Sequence, residues 1–267
     1  MSGGVILELL QGDCLEIMKN IPDGSVDMVL CDLPYGNTNA AWDKKVSMLP
    51  LWEQYDRVCK ANAAILLFAQ QPFGAELIMS NKKYFRYEII WQKTNPGGFL
   101  NANKMPMKNH ENILVFYKKL PNYHPIKSLI PENTGDKRGR KRKGSVYCPG
   151  GIYRAHKNHE WIEDGTRYPT DVICFSNQNG AYWGDTKSAA EHPAKKPVPL
   201  LEYLIKTYTN EGDVILDNCM GSGSTGVACV NTGRDFIGIE KDEKYFSIAQ
   251  ERIERARGQL RLTDFPE

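Results

Sequence analysis

Seven short apolar runs punctuate the chain, lying near Leu7, Met28, Ala63, Tyr87, Ile113, Ile215 and Ile237. Each is rich in Val, Ile, Leu or aromatic residues, and several are almost continuously apolar, as Val26-Asp27-Met28-Val29-Leu30-Cys31 and Ala63-Ala64-Ile65-Leu66-Leu67-Phe68 show. Runs of that length with no alternation fit strands buried on both faces. Helical stretches are expected from Leu15 to Asn20, from Phe73 to Ser80, and from Val227 onward. Strands and helices that follow one another in this way predict an α/β fold with a doubly wound, mostly parallel, seven-stranded sheet. One segment breaks the pattern. From Leu120 to Ala189 the chain is polar and rich in Pro, Gly and basic residues, with Tyr123, Tyr147, Tyr153, Trp161, Tyr168, Tyr182 and Trp183 interspersed. So long a stretch with little periodicity inside a domain reads as a functional insert rather than a connector. The expected organisation is therefore one core made of residues 1–119 and 190–267, interrupted by an insert over 120–189.

The candidate chemistry sits where strands should end. Asp32-Leu33-Pro34-Tyr35 follows the second run. Pro34 biases Leu33 toward an extended backbone, so the Leu33 carbonyl can take a fixed direction beside the Asp32 carboxylate. Two adjacent acceptors can receive both hydrogens of an –NH2 group, and Tyr35 offers a stacking face for a flat heterocycle. A strand end followed by a Pro-Tyr turn is the plain structural alternative. The second site follows Asp213-Val214-Ile215-Leu216-Asp217, where Asn218-Cys219-Met220-Gly221-Ser222-Gly223-Ser224-Thr225-Gly226 leads into a helix. A glycine turn at a helix N-terminus presents N–H groups and the positive dipole end to a polar ligand. There is no third glycine at the dinucleotide spacing and no P-loop lysine. Glu240 ends the next strand about twenty residues on, where an acid accepts hydrogen bonds from ribose hydroxyls.

These segments together resemble the amino-methyltransferases of DNA. Asp32-Leu33-Pro34-Tyr35 is similar to the family's Asp/Asn/Ser-Pro-Pro-aromatic motif, with Leu33 in place of the first proline. The glycine loop resembles the S-adenosylmethionine segment Asp-Pro-Phe-x-Gly-Ser-Gly-Thr-Thr, with Asp217 and Asn218 at its start and Cys219 at the phenylalanine position. The resemblance implies that Ser222 and Thr225 bind the methionine carboxylate and that Gly221 and Gly223 let the backbone approach. His192-Pro193-Ala194-Lys195-Lys196-Pro197 resembles a segment that covers the methionine end of the cofactor, which places His192, Lys196 and Pro197 there. Gly12-Asp13-Cys14 resembles the turn that bonds the adenine of the cofactor, and Asp13 can also cap the following helix. Trp91 and Lys93, in Trp91-Gln92-Lys93-Thr94-Asn95-Pro96, match a segment beside the target base. Trp91 could equally be core. The motif order, with the amine motif first and the cofactor motif last, is that of the family's beta group. It implies a Rossmann-like methyltransferase fold in which the two motifs end neighbouring strands.

Charge supports a nucleic-acid partner. The net charge is only +2, yet residues 82–157 carry 17 basic against 4 acidic side chains. Lys137-Arg138-Gly139-Arg140-Lys141-Arg142-Lys143 is the densest part, and a concentrated positive region is the footprint of a polyanion. Double-stranded DNA is the expected partner, and family members of this group extend that to a homodimer. Seven scattered cysteines show neither a CxxC pair nor zinc-ligand spacing, so no metal is expected and a reducing, cytoplasmic setting fits. No apolar run suits a bilayer, and the resemblance points to a prokaryote or phage. The expected reaction is methyl transfer from S-adenosyl-L-methionine to the N6 amine of adenine after base flipping, because members with Asp in the first position mostly act there. Cytosine N4 is the alternative target. An RNA amino-methyltransferase, an inactive nucleic-acid-binding subunit and an NAD-type oxidoreductase are the competing readings.

Overall fold

In the computed structural model, residues 5–36, 44–129, 165–177 and 195–263 are described. The first strands and helices are β1 (Leu7–Gln11), α1 (Cys14–Ile17), β2 (Val26–Cys31), α2 (Met48–Val58), β3 (Cys59–Ala69) and α3 (Phe73–Ser80). A long hairpin follows, β4 (Phe85–Gly97) and β5 (Lys108–Phe116), then the short β6 (Ser128–Leu129), β7 (Thr166–Arg167) and β8 (Val172–Phe175). The last part comprises α4 (Val198–Tyr208), β9 (Val214–Asp217), α5 (Ser224–Thr232), β10 (Asp235–Glu240) and α6 (Glu243–Thr263). Among these residues no helix is long and apolar enough to cross a membrane.

The main sheet has eight strands in the order β1-β10-β9-β2-β3-β5-β4-β8. All seven expected strands are present. The eighth, β8, pairs in parallel with the edge of β4 and lies inside the segment assigned to the insert. Its four residues are flanked by polar chain, which hid it. The sheet is parallel except where β5 runs against β3 and β4. Side chains alternate between two cores, as period-two strands require. Met28 and Leu30 pack with Leu204, Ala228 and Ile253 from α4, α5 and α6. Val29 and Cys31 pack on the other face with Leu51, Tyr55 and Phe73 from α2 and α3.

The feature that positions the site is the pairing of β2 with β9. Met28 lies beside Ile215 and Val29 beside Leu216, although the two strands are far apart in sequence. From β2 the chain crosses to β3, and from β9 it crosses the other way to β10. The sheet therefore switches direction between β2 and β9, which opens a crevice at their carboxyl ends.

Two compact units divide the chain, Pro125–Thr170 and the remainder. In the smaller unit β6 pairs with β7, and the Lys127 ammonium lies 4.7 Å from the Tyr168 ring centroid. The tract Lys137, Arg138, Arg140, Lys141, Arg142 and Lys143 lies outside the described residues, as does His192.

Close packing beneath the crevice makes one position intolerant. A Cβ on Gly238 of β10 would stand 2.4 Å from the Met220 sulfur and 2.5 Å from Phe236 Cε1. Gly238→Ala is expected to cost about 2 kcal/mol, the range for overpacking a filled core, and urea unfolding of the variant measures it.

Candidate active site

The carboxyl ends of β1, β2, β9 and β10 border a cavity of about 820 Å³, within the range of small-molecule sites. Leu33 anchors the first wall, buried to 2 % exposure, and holds Asp32 and Tyr35 at the rim of the cavity. The Tyr35 hydroxyl donates to Asp32 Oδ1 at 2.7 Å, while its ring packs on Phe73 with centroids 5.1 Å apart. Burial first, and the Asp32 charge second, push the Tyr35 phenol well above its ordinary pKa. It therefore stays a donor to the carboxylate at neutral pH.

The other Asp32 oxygen accepts from Lys196 Nζ at 2.6 Å. The resemblance assigned Lys196 to the methionine end of the cofactor; it lines the same cavity, and its ammonium meets the carboxylate of the amine motif. Lys196 also reaches Glu111 Oε2 at 3.2 Å. Lys93 and Gln70 donate to the Glu111 Oε1 atom. Lys93 was expected beside nucleic acid, and here its charge is committed to Glu111. Burial alone would depress the Lys196 ammonium, but Asp32 and Glu111 outweigh it and hold its pKa above the usual lysine value. Burial likewise opposes ionisation of Glu111, and the Lys196 and Lys93 charges bring its pKa below the usual range. Trp91 lines the cavity yet is 2 % exposed, and its indole N–H donates to the Phe175 carbonyl at 3.0 Å. It is a core residue with one edge on the site.

The opposite wall comes from β9, the glycine loop and β10. Glu240 Oε2 accepts from Gly221 N at 2.9 Å, and Oε1 accepts from Asp242 N at 2.8 Å. Burial still leaves the Glu240 pKa raised, against these backbone donors. Asp13 caps α1 by accepting from Leu15 N at 3.0 Å and receives Lys241 Nζ at 3.0 Å. The Lys241 bond is the main reason that the Asp13 carboxyl is lowered. Cys14, Cys219 and Ser222 also line the cavity; Ser222 Oγ accepts from Arg252 at 2.9 Å. Asn218 is fixed from behind by the Tyr55 hydroxyl at 2.6 Å.

Two expected contacts have a different position. Gly223, with φ +76°, faces α6, where a Cβ would lie 2.9 Å from Ala249 Cβ; it is a packing and turn residue rather than part of the cavity wall. Pro197 is the N-cap of α4 and is not among the lining residues. Glu111 was not found from the sequence. It pairs with Trp91 across the β4–β5 ladder, and only that register brings it into the site.

Thr225 donates to Asp217 Oδ2 at 2.6 Å, and Cys219 N donates to Oδ1 at 3.2 Å. Burial raises the Asp217 carboxyl to about 6, against the pull of those bonds. The folded state thus binds this proton more tightly than the unfolded chain. The contribution of Asp217 to stability grows as pH falls through about 6 and is unfavourable above it. Asp217→Asn removes that dependence. Its stability relative to wild type should decline by up to about 3 kcal/mol between about pH 7 and pH 4, read by urea unfolding at each pH.

An α/β sheet with the strand-end acid Glu240 on one wall of a switch-point cavity and the Asp32-Leu33-Pro34-Tyr35 turn on the other has the layout of a nucleotide-dependent enzyme. Its family is shown by comparison. Residues 26–251 match the N6/N4 family described as DNA methylase, and the chain belongs to that family. It is similar to the Type II methyltransferase M.HinfI of Haemophilus influenzae, 27% identical over 280 residues that cover 92% of this chain and 67% of that protein. The DNA adenine methyltransferase YhdJ of Escherichia coli (strain K12) is 27% identical over 269 residues, covering 93% and 83%. Among solved structures, the M1.HpyAVI–SAM complex superposes with a TM-score of 0.62 at 22% identity, covering 93% of this chain and 99% of that one. The cytosine-N4-specific PvuII DNA methyltransferase gives 0.64 at 15% identity, covering 96% and 93%. These likenesses support the same α/β fold.

Proposed function

We propose that this chain transfers a methyl group from S-adenosyl-L-methionine to the N6 amine of adenine in duplex DNA. The carrying observation is one cavity bordered by Asp32 at the end of β2 and Glu240 at the end of β10. The residues present fit the cofactor. Glu240 supplies a carboxylate for ribose hydroxyls, Asp13 a second acceptor, and the loop at Gly221 and Ser222 backbone and hydroxyl groups for a polar ligand. When bound, S-adenosyl-L-methionine supplies an electrophilic methyl group on a sulfonium.

The protein's own part is to make a poor nucleophile competent. The amine lone pair of adenine is delocalised into the ring. Asp32 and the Leu33 carbonyl accept the two amine hydrogens, which favours a pyramidal nitrogen with its lone pair directed at the donor. Holding that geometry supplies much of the rate. The Asp32 charge also stabilises the positive charge that develops on nitrogen. Tyr35 offers its ring to the flipped base, offsetting part of the stacking lost on leaving the duplex. The basic tract Lys137 to Lys143 is assigned to phosphate contact. A homodimer is carried with this reading on the family resemblance alone, and sedimentation equilibrium tests it.

Adenine is preferred because YhdJ is named a DNA adenine methyltransferase and because Asp32 opens the amine motif. Incubation with methyl-labelled cofactor and either unmodified duplex DNA or RNA tests the substrate. Label on DNA is expected. Label on RNA alone, or cofactor binding without transfer to either, would replace this reading.

A further inference from the structure

Both oxygens of the Asp32 carboxylate are engaged, one by the Tyr35 hydroxyl and the other by Lys196. The second contact is the informative one. A carboxylate oxygen can accept two hydrogen bonds, but a charged ammonium N–H on Oδ2 weakens and crowds the acceptor that an exocyclic amine would use, so lysine and target base compete for it. The lysine cannot simply leave for water. Its side chain is 11% exposed, and Nζ sits 5.0 Å from the Phe68 ring centroid.

A second acceptor is within reach. Glu111 Oε2, buried and 3.2 Å from Nζ, is ion-paired with it but lacks the alignment of a full hydrogen bond. Oε1 of the same carboxylate, by contrast, holds Lys93 and Gln70. A buried carboxylate oxygen without an aligned donor is costly, and a short rotation of the Lys196 ammonium would satisfy it.

We propose that Lys196 alternates between two acceptors. It holds Asp32 while the amine site is empty, then yields Oδ2 to the target amine and turns onto Glu111 Oε2. Glu111 is thus a positioning residue for the reaction. The exchange keeps two carboxylates and two ammonium groups together throughout, so no uncompensated charge is left in a buried site. It also keeps Asp32 paired whenever substrate is absent. The inference rests on Asp32 being the amine acceptor.

The test compares methyl transfer to unmodified duplex DNA by wild type, Glu111→Gln, Lys196→Met and the double variant. Glu111→Gln withdraws the second acceptor while Lys93 and Gln70 keep an oxygen, so Lys196 stays on Asp32. Its kcat/KM for DNA, measured well below its melting temperature, should fall about tenfold or more, with the Kd for S-adenosyl-L-methionine near wild type and the melting temperature lowered by the loss of a buried charge partner. Adding Lys196→Met removes the competitor, so the double variant should recover activity over Glu111→Gln alone. A purely structural role for Glu111 predicts the opposite order. Wild-type kcat/KM in Glu111→Gln, or a double variant no better than the single, would overturn the exchange while leaving the methyltransferase reading intact. Absence of transfer by wild type would remove both.

Discussion

Asp32→Ala should lose methyl transfer by about a thousandfold or more while the Kd for S-adenosyl-L-methionine changes only a few-fold. Removing one preorganised group that stabilises developing charge costs about 10²–10³ in rate, and Asp32 also orients the amine. The cofactor wall is built separately, from Glu240, Asp13 and the glycine loop, which is why binding should persist. The fold should persist too. Lys196 loses one partner but retains Glu111 at 3.2 Å, so the substitution does not strand a buried ammonium. Titration calorimetry and a transfer assay on the same sample separate the two effects. Loss of both together would mean that Asp32 serves the cofactor or the fold rather than the amine.

Glu240→Ala is the counterpart on the other wall, with cofactor Kd expected to rise about a hundredfold. A hydrogen bond to a charged group contributes about 1.5–3 kcal/mol, and a ribose offers two hydroxyls to one carboxylate. The substitution also releases the Gly221 and Asp242 amides, which loosens the loop that shapes the site. Because Gly221 and Asp242 are at the cavity margin and β10 keeps its pairing with β1 and β9, a folded protein is expected. An unchanged Kd by calorimetry would remove Glu240 from the cofactor site.

The two walls were legible in the sequence to different depths. Asp32 and Glu240 each end an apolar run, and a strand end followed by a distinctive turn is a local signal. The pairing of β2 with β9 could be inferred only from motif order, since nothing in either strand names its neighbour. Glu111 left no such signal. It precedes the apolar run Ile113 to Phe116 as an unremarkable acid, and its role depends on the register that sets it opposite Trp91. For the same reason Lys93 was placed beside the target base with no sign of its ion pair with Glu111. Three helices, α2, α4 and α6, also escaped. α2 carries Pro50 and α4 carries Pro199, both within the first turn, where proline costs little because those N–H groups lack helical partners anyway.

The most direct measurement is digestion of enzyme-treated, previously unmodified duplex DNA to nucleosides, with mass identification of the methylated product. N6-methyladenine is the expected result. N4-methylcytosine would keep Asp32 and the transfer geometry but contradict the choice of base, and a methyl group on ring carbon or ring nitrogen would contradict the amine-acceptor role of Asp32 itself.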